Sequence, residues 1–356
     1  MRGQSINVAL LGCGRIATWF HLEILHRHPL VQLVAIADAN QDALQRAKTK
    51  APQANTFLRY EDLLQIDDLD AVVICLPTHL HAAAAIAAFE AKKHVYLEKP
   101  LAISPSEVPQ VLHAWEASHC IGMIGFNGRF HPVIQQAKEM LDRQVIGPIT
   151  AVQTVHTSFA KSLPDWKKSR ESGGGVLLDL ASHQFDLLAF LLNTPVTEVM
   201  ASVWSQRFEQ DSAMLQIRSH HGPPAQVFVS NSAAVENRLE IIGERGRIVT
   251  DRFASTVRVL PTQPAYSRVD RTRELCRDSV SLVSKLKKII APTAEPSYRL
   301  ALDYFINCVR ESRTPSPDIR DGCKNIAAVF AAEKSAKTGQ WIKLPAEDEL
   351  GASCAF

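Results

Sequence analysis

The stretch that decides the fold is INVALLGCGRIA, residues 6–17. Residues 6–11 are almost entirely apolar and predict a buried β-strand. Two glycines, Gly12 and Gly14, follow at once, and a helical pattern then runs over residues 17–28 as far as Pro29. A strand, a glycine-rich turn and a helix in this order are typical of the first unit of a parallel sheet that is covered by helices.

The turn has the spacing G-x-G-x-x-A. Small residues at these places allow a tight turn, a close approach of the backbone to a pyrophosphate and close packing of the helix. A helix N-terminus also favours phosphate groups. We therefore expect this turn to bind a dinucleotide through Gly12, Gly14, Arg15, Ile16 and Ala17.

Asp38 ends the second predicted strand, where an acid can accept hydrogen bonds from the adenosine ribose. Ala39 and Asn40 follow it, so no cation is near in sequence to compensate a 2′-phosphate. NAD is therefore favoured over NADP as the cofactor. The alternative is that Asp38 only caps the helix that follows.

Strand-like and helix-like patterns alternate over the first part of the chain. The predicted strands cover residues 6–11, 31–37, 71–76, 94–97 and 121–125, and the helices lie between them. Apolar strands that alternate with helices indicate a parallel sheet that is buried on both faces. We predict an α/β Rossmann dinucleotide-binding domain over residues 1–126.

The pattern changes after this point. Strand-like runs recur between turn signals, at residues 150–157, 198–205, 213–218, 226–230, 238–242 and 247–250. They predict an α+β C-terminal domain with a mainly antiparallel open sheet over residues 127–296, which would serve substrate binding and oligomerisation. Two late helical patterns within residues 297–345 are expected to return and pack on the first domain.

The composition narrows the class of protein. The chain has 356 residues, 46% hydrophobic and 21% charged, which excludes a largely disordered chain and suits two domains. A net charge of +2 gives no electrostatic reason for a nucleic-acid or membrane partner. No apolar run reaches the length of a membrane span, and the N-terminus lacks the regions of a secretory signal.

Seven scattered cysteines without a CxxC pair indicate reduced thiols, a cytoplasmic location and no metal site. Residues 267–290 form a basic segment. It is interpreted as a solvated helix or insertion, with a basic surface for an acidic partner as the alternative.

Two further motifs carry polar chemistry. Lys99, in Glu98-Lys99-Pro100, follows a predicted strand at the sheet edge where ligands collect, and could hydrogen-bond a substrate hydroxyl. A lone surface lysine is the alternative. Downstream, three glycines at 173–175 lead into a helix and are expected to leave open N–H groups for a ligand.

On that helix Asp179, His183 and Asp186 share one face. We interpret His183 as an oriented acid/base whose protonated form the two carboxylates favour.

The chain resembles the Gfo/Idh/MocA oxidoreductases, the glucose–fructose oxidoreductase and inositol dehydrogenase group. The resemblance runs from about residue 6 to 344 and rests on the glycine turn, Glu98-Lys99-Pro100, the segment at 127–132 and the segment at 173–186. It implies that Lys99 and His183 are the catalytic pair, with Asp179 in the same site. It further implies a nicotinamide site lined by Pro77, Thr78, His81 and Glu98, and a substrate site near Asn127, Arg129 and Trp166. One departure is Lys92, where the family usually has glycine.

These observations lead to one expected function and two alternatives. We expect an NAD-dependent oxidoreductase that acts on a secondary alcohol of a sugar, cyclitol or sugar nucleotide as a homodimer or homotetramer. The alternatives are a non-catalytic NAD-binding sensor, which can lose the catalytic Lys and His, and a redox-neutral NAD-dependent sugar-modifying enzyme.

Overall fold

The computed structural model describes residues 5–253, 255–262, 295–346 and 349. The basic segment at 267–290 lies outside these described residues. The described residues form two sheets. A six-stranded parallel Rossmann sheet precedes an eight-stranded, mainly antiparallel sheet with helices, so the predicted fold class is confirmed.

The first sheet has the strand order β3-β2-β1-β4-β5-β6. Its strands are β1 (Ile6–Leu11), β2 (Val31–Ala37), β3 (Asn55–Phe57), β4 (Ala71–Ile74), β5 (His94–Leu97) and β6 (Gly122–Ile124). All of β4 is buried, as its apolar sequence predicts for a strand covered on both faces. The strand order reverses between β1 and β4, so the carboxyl ends of these two strands form the edge at which a ligand crevice opens.

Helices connect these strands. They are α1 (Leu22–Arg27), α2 (Gln41–Lys50), α3 (Tyr60–Leu63), α4 (His81–Glu90) and α5 (Glu107–Ser118), with a π-helical turn at Ala17–His21 and a 3₁₀ turn at Thr78–Leu80. The side chain of Asn40 accepts the N–H of Ala43 and caps α2. The cap is therefore Asn40, which leaves Asp38 for another role. Lys92 adopts the left-handed φ of +58° that usually favours glycine.

The second sheet has the order β13-β12-β11-β7-β10-β9-β8-β14. Its strands are β7 (Ile149–Phe159), β8 (Val196–Trp204), β9 (Ser212–Ser219), β10 (Ala225–Ser230), β11 (Ser232–Gly243), β12 (Gly246–Asp251), β13 (Thr256–Pro261) and β14 (Ile342–Lys343). The pair β7 and β10 is parallel, and the other described pairs are antiparallel.

The remaining helices cover this sheet and join it to the first. They are a 3₁₀ turn at Asn127–Phe130, α6 (Pro132–Asp142), α7 (Asp165–Lys168), a π-helical turn at Leu177–Ala181, α8 (Ser182–Leu192), α9 (Pro296–Glu311) and α10 (Ile319–Thr338). Phe305 of α9 packs with Leu10 and Tyr96 in the core of the first sheet. Helix α10 contributes Ile326 to a core shared by both sheets. These contacts hold the second sheet beside the carboxyl edge of the first.

Candidate active site

The glycine turn has the geometry that a dinucleotide requires. Gly12 has a φ of +94°, and a Cβ there would lie 2.5 Å from the carbonyl oxygen of Cys75, so the position needs glycine. A Cβ on Gly14 would meet no atom within 4 Å, which leaves open space over the start of the helix. Arg15 is exposed and stacks over the ring of Trp19. The turn therefore fits a pyrophosphate.

Asp38 is held beside this turn by backbone donors. Its Oδ2 accepts the N–H of Cys13 at 2.6 Å, and its Oδ1 accepts the N–H of Asn40 at 2.8 Å. The carboxylate is half-buried at the end of β2. This is the place from which an acid can reach the ribose of a dinucleotide.

The residues implied for the nicotinamide end lie at the neighbouring strand ends. Pro77 precedes the turn that carries Thr78, and Thr78 is buried. The ring nitrogens of buried His81 lie 2.7 Å from the carbonyl oxygen of Pro100 and 2.9 Å from that of Leu76. Burial lowers the pKa of His81. A neutral ring can donate to one of these two carbonyls at a time.

Glu98 contacts the π-helical turn that follows the glycine turn. Its Oε1 lies 2.7 Å from Nε2 of His21, and both side chains are buried. The pair links the helix after the glycine turn to the strand end that carries Lys99.

Lys99, Asp179 and a second lysine form the charged centre of the site. Nζ of Lys99 donates to the backbone oxygen of Asp179 at 2.6 Å and lies 3.3 Å from its Oδ1. Nζ of Lys167 donates to the same Oδ1 at 2.8 Å. Burial would raise the pKa of Asp179, but Lys167 and Lys99 hold it well below its usual range. Asp179 is therefore ionised.

Two imidazole rings lie within reach of the charge of Lys99. The rings of His183 and His156 are 6.1 Å apart between centroids. Burial, Lys99 and His156 lower the pKa of His183 well below its ordinary value. Burial, Arg252 and Lys99 lower the pKa of His156 to about 4. Gln184 bonds Nδ1 of His156 at 3.1 Å and so orients its ring.

The expectation that both carboxylates favour the protonated form of His183 holds only for Asp179, whose effect does not decide the charge of the ring. Asp179 does act to raise the pKa of His183, but burial and the neighbouring cations outweigh it. Asp186 is engaged elsewhere, because its two oxygens accept Nε of Arg129 at 2.9 and 3.0 Å. His183 is therefore neutral at physiological pH, the form that can accept a proton.

Two N–H groups of the glycine run donate to backbone oxygens of the preceding segment. The N–H of Gly173 donates to the oxygen of Arg170 and that of Gly174 to the oxygen of Ser169, so the expectation of open N–H groups is wrong for both. A Cβ on Gly174 would lie 2.3 Å from the carbonyl oxygen of Lys167. The absence of a side chain there lets the segment with α7 pack closely.

The three residues that the resemblance places near the substrate have different contacts. Nδ2 of Asn127 donates to Oγ of Ser297 at 2.8 Å, and Asn127 is buried. Arg129 is buried in its pair with Asp186. Trp166 is half-buried on α7, with the ammonium of Lys167 5.4 Å from the centre of its ring. Trp166 thus lies beside the charged centre through its contact with Lys167.

Sequence reasoning missed Lys167, His156 and the partner of Glu98, His21. The alternation of β7 is a usable signal for His156, because Val152 and Thr154, four and two residues before it on the same face, are buried. No comparable spacing connects Lys167 with Asp179, since they lie on separate segments that the glycine run brings together.

Comparison with known proteins identifies the family. Residues 6–126 match the GFO_IDH_MocA profile described as an oxidoreductase family NAD-binding Rossmann fold. Residues 138–344 match the C-terminal alpha/beta domain of the same oxidoreductases. The chain belongs to the Gfo/Idh/MocA oxidoreductase family. It is thus an NAD-dependent oxidoreductase by family, and the expected resemblance is confirmed.

Two relatives match this Gfo/Idh/MocA chain over different lengths. The myo-inositol 2-dehydrogenase of Thermotoga maritima is 28% identical over 355 residues, which cover 97% of this chain and 100% of that protein. The dTDP-3,4-didehydro-2,6-dideoxy-alpha-D-glucose 3-reductase of Actinomadura kijaniata is 30% identical over 69% of this chain and 75% of that protein.

A solved structure has the same architecture. The WlbA dehydrogenase from Bordetella pertussis, in complex with NADH and UDP-GlcNAcA, is 25% identical to this chain. It superposes with a TM-score of 0.82 and covers 97% of this chain and 99% of that chain. Structural neighbours of the protein are thus bound to NADH.

The described residues contain neither a membrane-spanning helix nor a cluster of metal-ligating side chains. Within them, no helix is long and apolar enough to cross a membrane. In the same residues, no group of three or more His, Cys, Asp and Glu side chains is placed to hold a metal ion.

Proposed function

We propose that this Gfo/Idh/MocA protein transfers hydride between a secondary alcohol of a sugar, cyclitol or sugar nucleotide and NAD. The observation that carries the proposal is the meeting of an ion-paired Lys99 with a neutral His183 at the carboxyl edge of a parallel sheet. A cation and a base at one place are what the oxidation of an alcohol needs, because a proton leaves the hydroxyl as negative charge develops on its oxygen.

The first domain would hold the cofactor. Gly12, Gly14, Arg15, Ile16 and Ala17 would bind its pyrophosphate and Asp38 its ribose, while the nicotinamide end would lie near Pro77, Thr78, His81 and Glu98. When bound, NAD supplies the carbon that accepts the hydride.

The residues of the protein would handle the proton and the charge. His183 takes the hydroxyl proton, and the Lys99 ammonium stabilises the developing alkoxide. Asp179 orients Lys99 through its carbonyl oxygen and its carboxylate. Trp166 and Asn127 would border the substrate, and Arg129 would support α8 through Asp186 or reach the substrate itself.

The proposed substrate class is supported by the names of two relatives and by the ligand bound in the solved structure. The T. maritima protein is named for an inositol, the A. kijaniata protein for a dTDP sugar, and the B. pertussis structure contains UDP-GlcNAcA. All three are six-membered rings that carry oxygen functions, either free or linked to a nucleotide. At these identities they support a substrate class and not one compound.

The open face of the second sheet favours a homodimer or homotetramer. Met214 is 56% exposed there, and its strand partner Phe228 stacks on Trp204 with 6.2 Å between ring centroids. Apolar side chains grouped on one face are typical of an interface. Light scattering after gel filtration tests this proposal, and a monomer at all protein concentrations would contradict it.

A dehydrogenase screen with NAD over inositols, aldoses and nucleotide sugars tests the activity. In Lys99→Met and His183→Asn we expect kcat to fall by roughly 10² to 10⁴, with NAD affinity within a few-fold. The double variant should lose less than the product of the two losses, because both groups act on one proton transfer.

Full activity in either single variant would refute the assignment of that residue. A wild type that binds NAD but turns over no substrate would favour the sensor alternative. Conversion of a sugar without net NADH, by protein that keeps nicotinamide through gel filtration, would favour the redox-neutral one.

A further inference from the structure

One carboxylate oxygen faces two ammonium groups in this site. Oδ1 of Asp179 lies 2.8 Å from Nζ of Lys167 and 3.3 Å from Nζ of Lys99. Lys99 comes from the end of β5 and Lys167 from α7, so the two cations reach Asp179 from different domains. All three side chains are largely shielded, at 13% exposed for Lys99 and 21% for the other two.

The shorter contact belongs to Lys167. One negative charge between two positive charges leaves a net charge of about +1 in a shielded place, where charge interactions are stronger than in water. If Asp179 faced Lys99 alone, the pair would be neutral and the ammonium would be held by its partner. With Lys167 on the same oxygen, the charge of Lys99 is only partly compensated.

The segment around Lys167 is built to hold it there. The N–H of Lys167 donates to the oxygen of Pro164 at 2.9 Å, and Oγ of Ser172 donates to the oxygen of Trp166 at 2.8 Å. Only glycine at position 174 leaves room for the carbonyl oxygen of Lys167, which would lie 2.3 Å from a Cβ there. The close packing explains why a glycine run precedes the helix that carries Asp179 and His183.

We propose that Lys167 is a positioning residue: by sharing Asp179 with Lys99, it leaves the Lys99 ammonium available to a developing alkoxide. This inference rests on the proposed function, in which Lys99 binds the reacting oxygen. The electrostatics agree with the geometry. Burial lowers the pKa of Lys99, Asp179 and Glu98 oppose this, and Lys167 lowers it further.

Among the described residues, Lys99 also helps to lower the pKa values of three histidines, His81, His156 and His183. Their lowered pKa values keep them neutral at the pH at which Lys99 titrates. The charges that set the titration of Lys99 are therefore those of Asp179, Glu98 and Lys167.

Lys167→Met removes the second ammonium, and Lys168→Met is the matched control. Lys168 is the next residue on α7, with a side chain 54% exposed and paired to exposed Asp165. We expect Lys167→Met to lower kcat about tenfold or more while KM changes by less than about threefold, since the lost effect belongs to the transition state. Lys168→Met should match the wild type, and Lys167→Arg should recover most of kcat because it keeps the charge.

The pH profile provides a readout that lost packing would not move. Activity needs Lys99 protonated, so it falls at high pH as Lys99 loses its proton. Removing a neighbouring cation raises the pKa of Lys99. The alkaline limb of kcat/KM should therefore move to higher pH in Lys167→Met and Lys167→Gln, and stay in place in Lys167→Arg.

The titration of Lys99 can also be measured without a substrate. Lys99 is acetylated with acetic anhydride over a range of pH, and mass spectrometry measures the extent of labelling. In Lys167→Met the midpoint of labelling should move to higher pH. An unmoved midpoint, or a kcat equal to that of Lys168→Met, would overturn the role of Lys167. A wild type without activity on any substrate would count against the proposed function while the labelling still decides the inference.

Discussion

Arg129→Met tests whether the buried pair of Arg129 and Asp186 supports the helix that carries His183. Arg129 Nε bonds both oxygens of Asp186, at 2.9 and 3.0 Å, and its Nη2 lies 2.7 Å from Oδ1. The two side chains are 10% and 3% exposed. Removing the guanidinium leaves a buried carboxylate without its cation, which costs about 3–5 kcal/mol.

The cost should depend on pH. Burial raises the pKa of Asp186 from 3.8 to about 6 even though Arg129 opposes this. Because the folded chain holds this proton more tightly than the unfolded chain, the contribution of Asp186 to stability is full below 3.8 and declines as pH rises through about 6. Without Arg129 the carboxyl takes up its proton more readily still.

We therefore expect a smaller loss at pH 5, about 1–3 kcal/mol for an unsatisfied hydrogen bond, than at pH 8. Urea unfolding of wild type and Arg129→Met at the two pH values measures this difference. The control Arg129→Met/Asp186→Leu removes both charges and should recover most of the stability.

The same variants separate support from substrate binding. If Arg129 acts through Asp186, the control double variant should recover KM together with stability. If Arg129 contacts the substrate, as the resemblance implies, KM should stay raised when stability returns. An equal decrease in the free energy of unfolding at pH 5 and pH 8, or a decrease below about 1 kcal/mol, would refute the reasoning from burial.

Three further predictions concern the cofactor domain. Asp38 should make NAD bind at least about tenfold tighter than NADP, because a 2′-phosphate would face its carboxylate; fluorescence titration with both cofactors measures this, and equal affinities would mean that Asp38 points away from the ribose. His21→Leu should lower the thermal unfolding temperature more than His21→Gln, which keeps a donor for the buried Glu98 carboxylate; equal losses would assign the effect to packing. Lys92→Gly should stabilise the chain by up to about 1 kcal/mol by relieving a left-handed side-chain conformation, and a lower urea midpoint would contradict it.

Local patterns in the sequence determined the fold and the cofactor turn. The predicted strands at 6–11, 31–37 and 94–97 have the bounds of β1, β2 and β5. Apolar periodicity and capping act over a few residues, so they can be read from the chain alone. The short strand β3, with polar Asn55 and Thr56 exposed, was missed because it carries too little of either signal.

Only the tertiary structure decided the chemistry of the site. Asp179 and Asp186 lie two helical turns apart with similar neighbours in sequence, yet one meets Lys99, 80 residues away, and the other meets Arg129, 57 residues away. The charge state of His183 follows from burial and from cations on other elements. Burial and long-range charge are properties of packing, and the spacing of residues along a helix does not contain them.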